Sequence, residues 1–265
     1  MHVPIFSMAF MAVSAVISIG LPVFLFIVVY KKYNGKFIPM IIGASAFIIF
    51  VLILESSIHS VFLGIFKIQN IPVAYIIYGA LMAGLFEETA RFLSFTILKK
   101  KYNGIGTGLS YGIGHGGIEA IMFVGIAMIG NLVFSIIINT GNVEILTMNI
   151  EGEALTQLNA QINALTMLEP YMFLVGGVER LFALGVQISL SIIVYYSVYC
   201  KNKLYLYPLA VIIHALIDVP AMLMQTGIIK QVAVVEISVG ISSVILLVLT
   251  RKIHEKIEGV TKNKP

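Results

Sequence analysis

Charge and cysteine are both scarce in this sequence. Of its 265 residues only 11% are charged and 59% are hydrophobic, and the mean hydropathy is +0.99. This composition excludes an ordinary soluble globular domain and is that of an integral membrane protein. The single cysteine, Cys200, excludes both an internal disulfide and a thiolate metal cluster.

Long apolar stretches recur along the chain, and each is long enough to cross a bilayer as a helix. We therefore expect an all-α fold, a polytopic membrane helix bundle, in a single membrane domain covering residues 1–265. The first stretch lacks a basic n-region and a cleavage site, which favours a retained span over a signal peptide. The seven predicted helices cover residues 5–30, 37–66, 72–98, 105–139, 171–199, 205–225 and 231–250.

The basic residues predict the direction of these spans. They fall in alternate connections, "KKYNGK" (31–36), "KKKYNG" (99–104), "KNK" (201–203) and "RKIHEK" (251–256). The positive-inside rule puts these groups in the cytoplasm, so we expect the N-terminus outside and a cytoplasmic tail at 251–265. Segment 140–170 contains glutamates but no Lys or Arg, which predicts an outer loop. We interpret the basic groups as topology signals that contact anionic lipid, with no nucleic-acid partner.

The fourth span, at about 35 residues, exceeds the length that a bilayer requires. It is expected to be tilted, broken near Gly125 or Gly130, or extended beyond the bilayer. A split into two crossings would place "KNK" outside, so the charge pattern favours one span.

Ionisable residues inside spans cost about 2.5 to 3.5 kcal/mol each on insertion scales, so each needs a partner, water or a function. At 1.5 Å rise per residue, Glu87, His115 and His214 each lie about 16 to 18 Å from the basic end of their helix. Three helices are therefore predicted to bring acid and imidazole groups to one level. Glu55 and Glu179, at about 28 and 33 Å by the same count, form a second, outer layer.

Helical spacing places some of these groups on common faces. His115 and Glu119 are four residues apart, as are His214 and Asp218. Arg91 can neutralise either Glu87 or Glu88, and the other carboxylate would remain available as a proton acceptor. The glycines around His115 indicate close helix packing, access for a substrate or water, or both.

Four motifs in order along the chain resemble those of the YhfC-type membrane proteins, which are distant relatives of the CAAX prenyl protease and bacteriocin-processing superfamily of intramembrane proteases. The motifs are "EETAR" (87–91), "GHGGIEA" (114–120), "GGVER" (176–180) and "HALIDVP" (214–220). The resemblance covers residues 80–225, and residues 72–225 are the expected catalytic core.

The resemblance implies a peptidase that cuts a peptide bond in or near the membrane. Glu87 and His115 would activate water, and His214 and Asp218 would polarise the scissile carbonyl or hold the oxyanion. Glu88 and Arg91 would then organise the site. Glu119, Glu179, Arg180 and Gln187 are the expected supporting residues. Glu179 and Arg180 are interpreted as structural, with Arg180 paired to Glu55 across two helices, or else as contributing to substrate entry.

Two positions depart from the family pattern. Asp218 stands where asparagine would be a better oxyanion donor, and Gln187 stands where a further histidine is expected. The resemblance therefore leaves the roles of these two positions open.

Zinc chemistry is the main alternative to a metal-free glutamate mechanism. The ion would bind His115, Glu119, His214 and Asp218 and activate a water molecule. The sequence lacks H-E-x-x-H, so the metal-free mechanism is favoured, with no cofactor.

Two functions of other classes use the same residues. A transporter or channel would relay protons or bind a cation, although no inverted repeat with broken helices is visible. A non-catalytic membrane partner would keep the scaffold and bind a peptide or subunit. The expected partners are membrane lipid and a peptide or membrane-protein substrate, and the sequence indicates no oligomeric state.

Overall fold

The structure is a computed structural model that describes the backbone of residues 1–262 and the side chains of residues 1–257. Within this range the chain forms helices and no β-strand. The helices are α1 (Ile5–Lys32), α2 (Phe37–Phe66), α3 (Pro72–Leu98), α4 (Ile105–Asn139), α5 (Val143–Thr147), α6 (Gly152–Met167), α7 (Met172–Tyr199), α8 (Leu206–Gln225) and α9 (Val232–Lys262).

Within the described residues, seven of these helices, all except α5 and α6, are long and apolar enough to cross a membrane. The shortest of them, α8, has 20 residues, which at 1.5 Å per residue spans about 30 Å of hydrocarbon. The predicted fold class is therefore confirmed, and the chain is a multi-pass membrane protein. The direction in which the helices cross the membrane stays a prediction.

Two of the spanning helices contain a π-helical segment. In α4 this segment is Ile121–Gly125, and the helix continues through it as one 35-residue span. The expected irregularity near Gly125 is thus a π segment, and the alternative of two crossings is excluded. In α2 the π-helical segment is Ile48–Glu55. Such segments bend a helix locally and are frequent at functional sites.

Contacts divide the chain into two compact units, Met1–Leu21 with Ala120–Leu181, and Pro22–Glu119 with Phe182–Pro265. In the first unit, the Asn139 side chain makes two hydrogen bonds to the backbone of Val3. Its Nδ2 donates to the Val3 carbonyl oxygen at 3.0 Å, and its Oδ1 accepts from the Val3 N–H at 2.7 Å.

Segment 140–170, expected as a loop, contains α5 and α6. Ile162 and Leu165 place an apolar face of α6 against the core of this unit, which stabilises the helix.

The second unit has a core of buried aromatic and aliphatic side chains. The Phe95 and Tyr111 rings pack at 4.7 Å between centroids, and Leu190 and Val194 of α7 lie in the same core. Glycines allow its helices to approach closely: a Cβ at Gly84 would lie 2.7 Å from the Val211 carbonyl oxygen of α8. Close helix packing is therefore one role of these glycines.

Helix α9 is longer than predicted. The sequence predicts its end at residue 250 and a tail at 251–265, but the helix continues through Lys262. Two features explain this continuation. Arg251 Nε donates to Glu255 Oε1 at 2.9 Å, four residues on, and Ile253 and Ile257 pack against the core of the second unit. Residues 263–265 of the predicted tail lie outside the described residues.

Candidate active site

Helix α3 supplies two carboxylates and one guanidinium to the second unit. Arg91 lies three residues after Glu88 and four after Glu87, so all three side chains extend from one face. Arg91 Nη1 donates to Glu88 Oε1 at 2.5 Å, and Nη2 donates to Glu87 Oε2 at 3.2 Å. Arg91 and Glu88 are fully buried, so the guanidinium is the fixed counter-charge of both carboxylates.

Helix α4 brings His115 against Glu87. The His115 Nε2 atom lies 2.9 Å from Glu87 Oε2. Gly114, the preceding residue, lets α2 approach α4 closely, because any Cβ there would collide with the Met40 carbonyl of α2. The Phe47 ring packs edge-on against the His115 ring, with centroids 5.1 Å apart. His115 is fully buried, and its orientation is fixed by these neighbours.

Helix α8 brings His214 to the other side of the carboxylate pair. The His214 Nδ1 atom lies 2.7 Å from Glu88 Oε1. The second ring nitrogen, Nε2, lies 3.6 Å from Asp218 Oδ2 and 3.9 Å from Glu87 Oε1. Three helices therefore converge on Glu87, His115 and His214, as their common distance from the basic helix ends predicts.

Gln187 of α7 completes the hydrogen bonding of Glu87. Its Nε2 donates to Glu87 Oε2 at 3.1 Å and to Glu119 Oε2 at 2.6 Å, and its Oε1 accepts from Arg91 Nη2. Gly116 permits this placement, since a Cβ there would lie 2.7 Å from the Gln187 Cβ. An amide is suited to this position because it donates to the carboxylates and accepts from the guanidinium.

We call Glu87, Glu88, Arg91, His115, Gln187 and His214 the acid–imidazole cluster. Its two Glu87 oxygens differ in their surroundings. Oε2 contacts Arg91, His115 and Gln187, whereas Oε1 faces His214 Nε2. The Asp218 side chain is 32% exposed and that of Glu87 only 9%. Asp218 is therefore more exposed than Glu87, and it lies on the side of Glu87 Oε1 and His214 Nε2.

Glu179 and Arg180, which the resemblance suggests as supporting residues, lie in the first unit. Arg180 Nε donates to Glu179 Oε2 at 2.8 Å. This ion pair joins neighbouring residues of α7.

Two polar residues outside the predicted site set make contacts that extend it. Ser191 Oγ accepts from Arg91 Nε at 3.2 Å; its position four residues after Gln187 was the available signal. Tyr78 OH lies 2.9 Å from His59 Nδ1. Glu55 is the last residue of the π segment in α2, and its place in an outer layer stays a prediction.

Cysteine chemistry is remote from this cluster. Cys200 follows the last residue of α7, about 20 Å along the helix from Gln187. Burial raises the pKa of its thiol, which disfavours the nucleophilic thiolate. The thiol therefore takes no part in the contacts around Glu87.

The chain is thus a multi-pass membrane protein with a polar site inside its helix bundle. Its buried carboxylate contacts imidazole, guanidinium and amide groups, an arrangement suited to acid–base chemistry. Comparison with known proteins specifies the class further. Residues 17–239 match the model of the family described as YhfC intramembrane metalloprotease. The chain belongs to the YhfC family, as the four sequence motifs indicated.

A relative from Bacillus subtilis (strain 168), described as "Uncharacterized membrane protein YhfC", is 36% identical over 239 residues. The alignment covers 89% of this chain and 92% of the relative. No solved structure matches the chain.

The family description implies a metal ion, but the side chains as arranged do not fit one. Zinc requires His, Cys or carboxylate ligands about 2.0 to 2.3 Å from a common point. Among residues 1–257, no three such side chains are grouped to hold an ion, so His115, Glu119, His214 and Asp218 do not form the expected ligand set. Two of the imidazole nitrogens contact carboxylates directly, and Arg91 places a fixed positive charge on the same carboxylates.

Proposed function

We propose that this protein is an intramembrane endopeptidase that hydrolyses a peptide bond in or near the membrane, with a water molecule activated by Glu87. The observation that carries the proposal is the asymmetry of the Glu87 carboxylate. Oε2 has three polar neighbours, Arg91, His115 and Gln187, and Oε1 lies 3.9 Å from His214 Nε2, on the side of the partly exposed Asp218. A general base needs this combination of a fixed carboxylate and one accessible oxygen.

The reaction begins with water bound at Glu87 Oε1. Glu87 takes a proton from the water as its oxygen attacks the scissile carbonyl carbon, and the carbon–oxygen bond forms. Arg91, His115 and Gln187 act as positioning residues, because each holds Oε2 and so directs Oε1. Both water activators implied by the resemblance thus contribute, with His115 acting through Glu87.

His214 is placed to stabilise the tetrahedral intermediate. Its Nδ1 is oriented by Glu88 Oε1, which directs Nε2 toward the space between Glu87 Oε1 and Asp218 Oδ2. A proton on Nε2 would be donated to the oxyanion. Asp218 orients the imidazole and, when protonated, is a second donor. Glu87 then returns its proton to the leaving nitrogen as the carbon–nitrogen bond breaks, giving a carboxylic acid and an amine.

The family membership and the four ordered motifs support peptidase activity. The metal-free mechanism is supported by the contacts of the Glu87 and Glu88 carboxylates with Arg91 and with the two imidazoles. No step is assigned to a metal ion. The cleaved partner would be a peptide or membrane protein that reaches the site within the lipid.

The test is cleavage of a library of membrane-spanning peptides by the purified full chain in liposomes, with products identified by mass spectrometry. Glu87→Gln should lower the cleavage rate about 10²- to 10⁴-fold, the usual range for loss of a general base. Glu144→Gln, an exposed glutamate of α5, is the matched control and should cleave at the wild-type rate.

Unchanged cleavage by a folded Glu87→Gln protein would refute the assignment of Glu87. Proton- or ion-coupled uptake into the same liposomes, with every peptide left intact, would instead identify a transporter. Peptide binding without cleavage or uptake would identify a non-catalytic partner.

A further inference from the structure

Glu55 is a buried glutamate that the proposed hydrolytic steps do not use. It is the last residue of the π segment in α2, and it is 5% exposed. Its Oε1 lies 3.1 Å from His59 Nε2. Its Oε2 is buried and has no hydrogen-bond partner among the described residues. One half of this carboxylate is therefore held, and the other half is left unpaired inside the protein.

The contacts around Glu55 fix its position. His59 Nδ1 lies 2.9 Å from the Tyr78 hydroxyl, so the imidazole is held from both ring nitrogens. The Tyr78 ring in turn stacks on Phe62, with centroids 4.6 Å apart and planes at 6°. This line from Phe62 to Glu55 restricts the rotation of the carboxylate. A group held in this way is suited to recognising a ligand.

The position of Glu55 relates it to the acid–imidazole cluster. The π segment that ends at Glu55 packs against α3, the helix of Glu87. Phe47 of the same helix as Glu55 packs against the His115 ring, with centroids 5.1 Å apart. Helix α2 therefore borders the acid–imidazole cluster, and a peptide bound at Glu87 Oε1 would have flanking residues along α2.

Charge balance indicates what Glu55 would bind. The guanidinium of Arg91 contacts Glu87 and Glu88, so it compensates the carboxylates of α3. Glu55 is a further acid, on the helix that packs against α3. A buried carboxylate without a counter-charge is costly, and such residues in membrane helices are usually functional. A cation supplied by the substrate would provide the missing partner for Oε2.

We propose that Glu55 forms a subsite for a cationic group of the substrate, the ammonium or guanidinium of a Lys or Arg side chain near the scissile bond. This inference rests on the proposed peptidase function and names its substrate class. An ammonium or guanidinium donates to carboxylate oxygens in charge-assisted hydrogen bonds, which are the strong ones. A neutral side chain would leave Oε2 buried without a partner.

The experiment measures cleavage selectivity in liposomes. The substrates are pairs of membrane-spanning peptides, and the two members of a pair have Lys or norleucine at one position near the cleaved bond. All peptides are acetylated at the amino terminus. The two members of each pair are offered in equal amounts. The wild-type protein should prefer Lys over norleucine at one position by about 10- to 100-fold, the range for a hydrogen bond to a charged group. Glu55→Gln should reduce this ratio to within about threefold, and Glu144→Gln should leave it unchanged.

Glu55→Asp is the second variant, for use if Glu55→Gln does not fold. It keeps the charge but shortens the side chain. The Lys-over-norleucine ratio of Glu55→Asp should therefore be lower than that of the wild-type protein and higher than that of Glu55→Gln. A free amino terminus on the same peptides tests the other source of an ammonium group. A preference that appears only with free amino termini would overturn the assignment to a side chain.

The outcomes separate this inference from the proposed function. Wild-type cleavage of Lys and norleucine peptides at equal rates, abolished by Glu87→Gln, would overturn the cationic subsite and keep the peptidase. Failure of the wild-type protein to cleave any peptide would overturn both. A Lys preference that survives in Glu55→Gln would exclude Glu55 as its source.

Discussion

Glu87 and Glu55 are both buried glutamates, and they lie on helices that pack together, α3 and α2. Glu87 has Arg91, His115 and Gln187 on one oxygen, whereas among residues 1–257 Glu55 has one hydrogen-bond partner, His59. Glu87 also has a fixed positive charge beside it, and Glu55 has a neighbour that is charged only when protonated. The two carboxylates therefore differ in how far the protein itself satisfies them.

This difference indicates a division of labour. A carboxylate fixed by three donors keeps one oxygen in a constant direction, which suits a base that must meet a water molecule. A carboxylate with an unpaired oxygen is poised to accept a group from outside. Substitutions that alter one partner at a time test whether Glu87 and Glu55 have these different roles.

Arg91→Met should give the largest effect. The substitution leaves Glu87 and Glu88 buried without their counter-charge, and breaking a buried pair costs about 3 to 5 kcal/mol. We expect the variant to be largely unfolded or to unfold at a much lower temperature, measured by circular dichroism in detergent. The control is Arg251→Met, which removes an exposed ion pair with Glu255 and should leave the unfolding temperature unchanged. A stable, folded Arg91→Met protein would contradict the role of Arg91 as the shared counter-charge.

Gly114→Ala should give the next largest effect. The added methyl group would collide with the Met40 carbonyl and push α2 away from α4, at about 1 to 3 kcal/mol as in overpacked interiors. Since α2 also contains Glu55, both carboxylates should be displaced. Gly130→Ala on the same helix meets no atom within 4 Å, and this matched control should be neutral or slightly stabilising. Equal unfolding temperatures for the two variants would refute the close contact at Gly114.

Gln187→Leu should lower catalysis with a smaller effect on folding. It removes the amide that donates to Glu87 Oε2, so the carboxylate would be less well oriented, and kcat should fall about tenfold, equivalent to about 1.4 kcal/mol. KM should change less, because Gln187 is a positioning residue. A rise in KM at constant kcat would assign Gln187 to substrate binding instead.

Glu55→Gln should change stability in the opposite direction to Arg91→Met. The substitution removes a buried charge whose Oε2 has no hydrogen-bond partner among the described residues, so the free energy of unfolding should rise by about 1 kcal/mol. The measurement is thermal unfolding by circular dichroism, compared with Glu144→Gln at the same pH. Destabilisation by several kcal/mol would show that the protein itself satisfies Glu55.

Much of the fold follows from hydropathy alone. The seven spans were predicted because each must be about 20 residues of apolar sequence, whatever its tertiary contacts. Helix α6 was expected as a loop, since its face with Ile162 and Leu165 is stabilised by a core that the sequence does not display. The extension of α9 beyond residue 250 likewise depends on contacts of Ile253 and Ile257.

The candidate site was predicted in part. Depth and helical spacing were sufficient to bring Glu87, His115 and His214 together. They did not reveal the π segment that ends at Glu55 or the contact of Glu55 Oε1 with His59 Nε2. They also did not reveal that Gln187 joins Glu87 to Glu119, since such contacts depend on the rotation of α7 about its axis.

Metal depletion distinguishes the metal-free mechanism from zinc chemistry. The cleavage rate of the wild-type protein is measured after chelation has removed nearly all bound metal, beside that of Glu87→Gln. We expect the metal-depleted wild-type protein to cleave membrane-spanning peptides at its original rate, and Glu87→Gln not to cleave them. Cleavage that disappears with the metal and returns in proportion to added zinc would refute the metal-free mechanism.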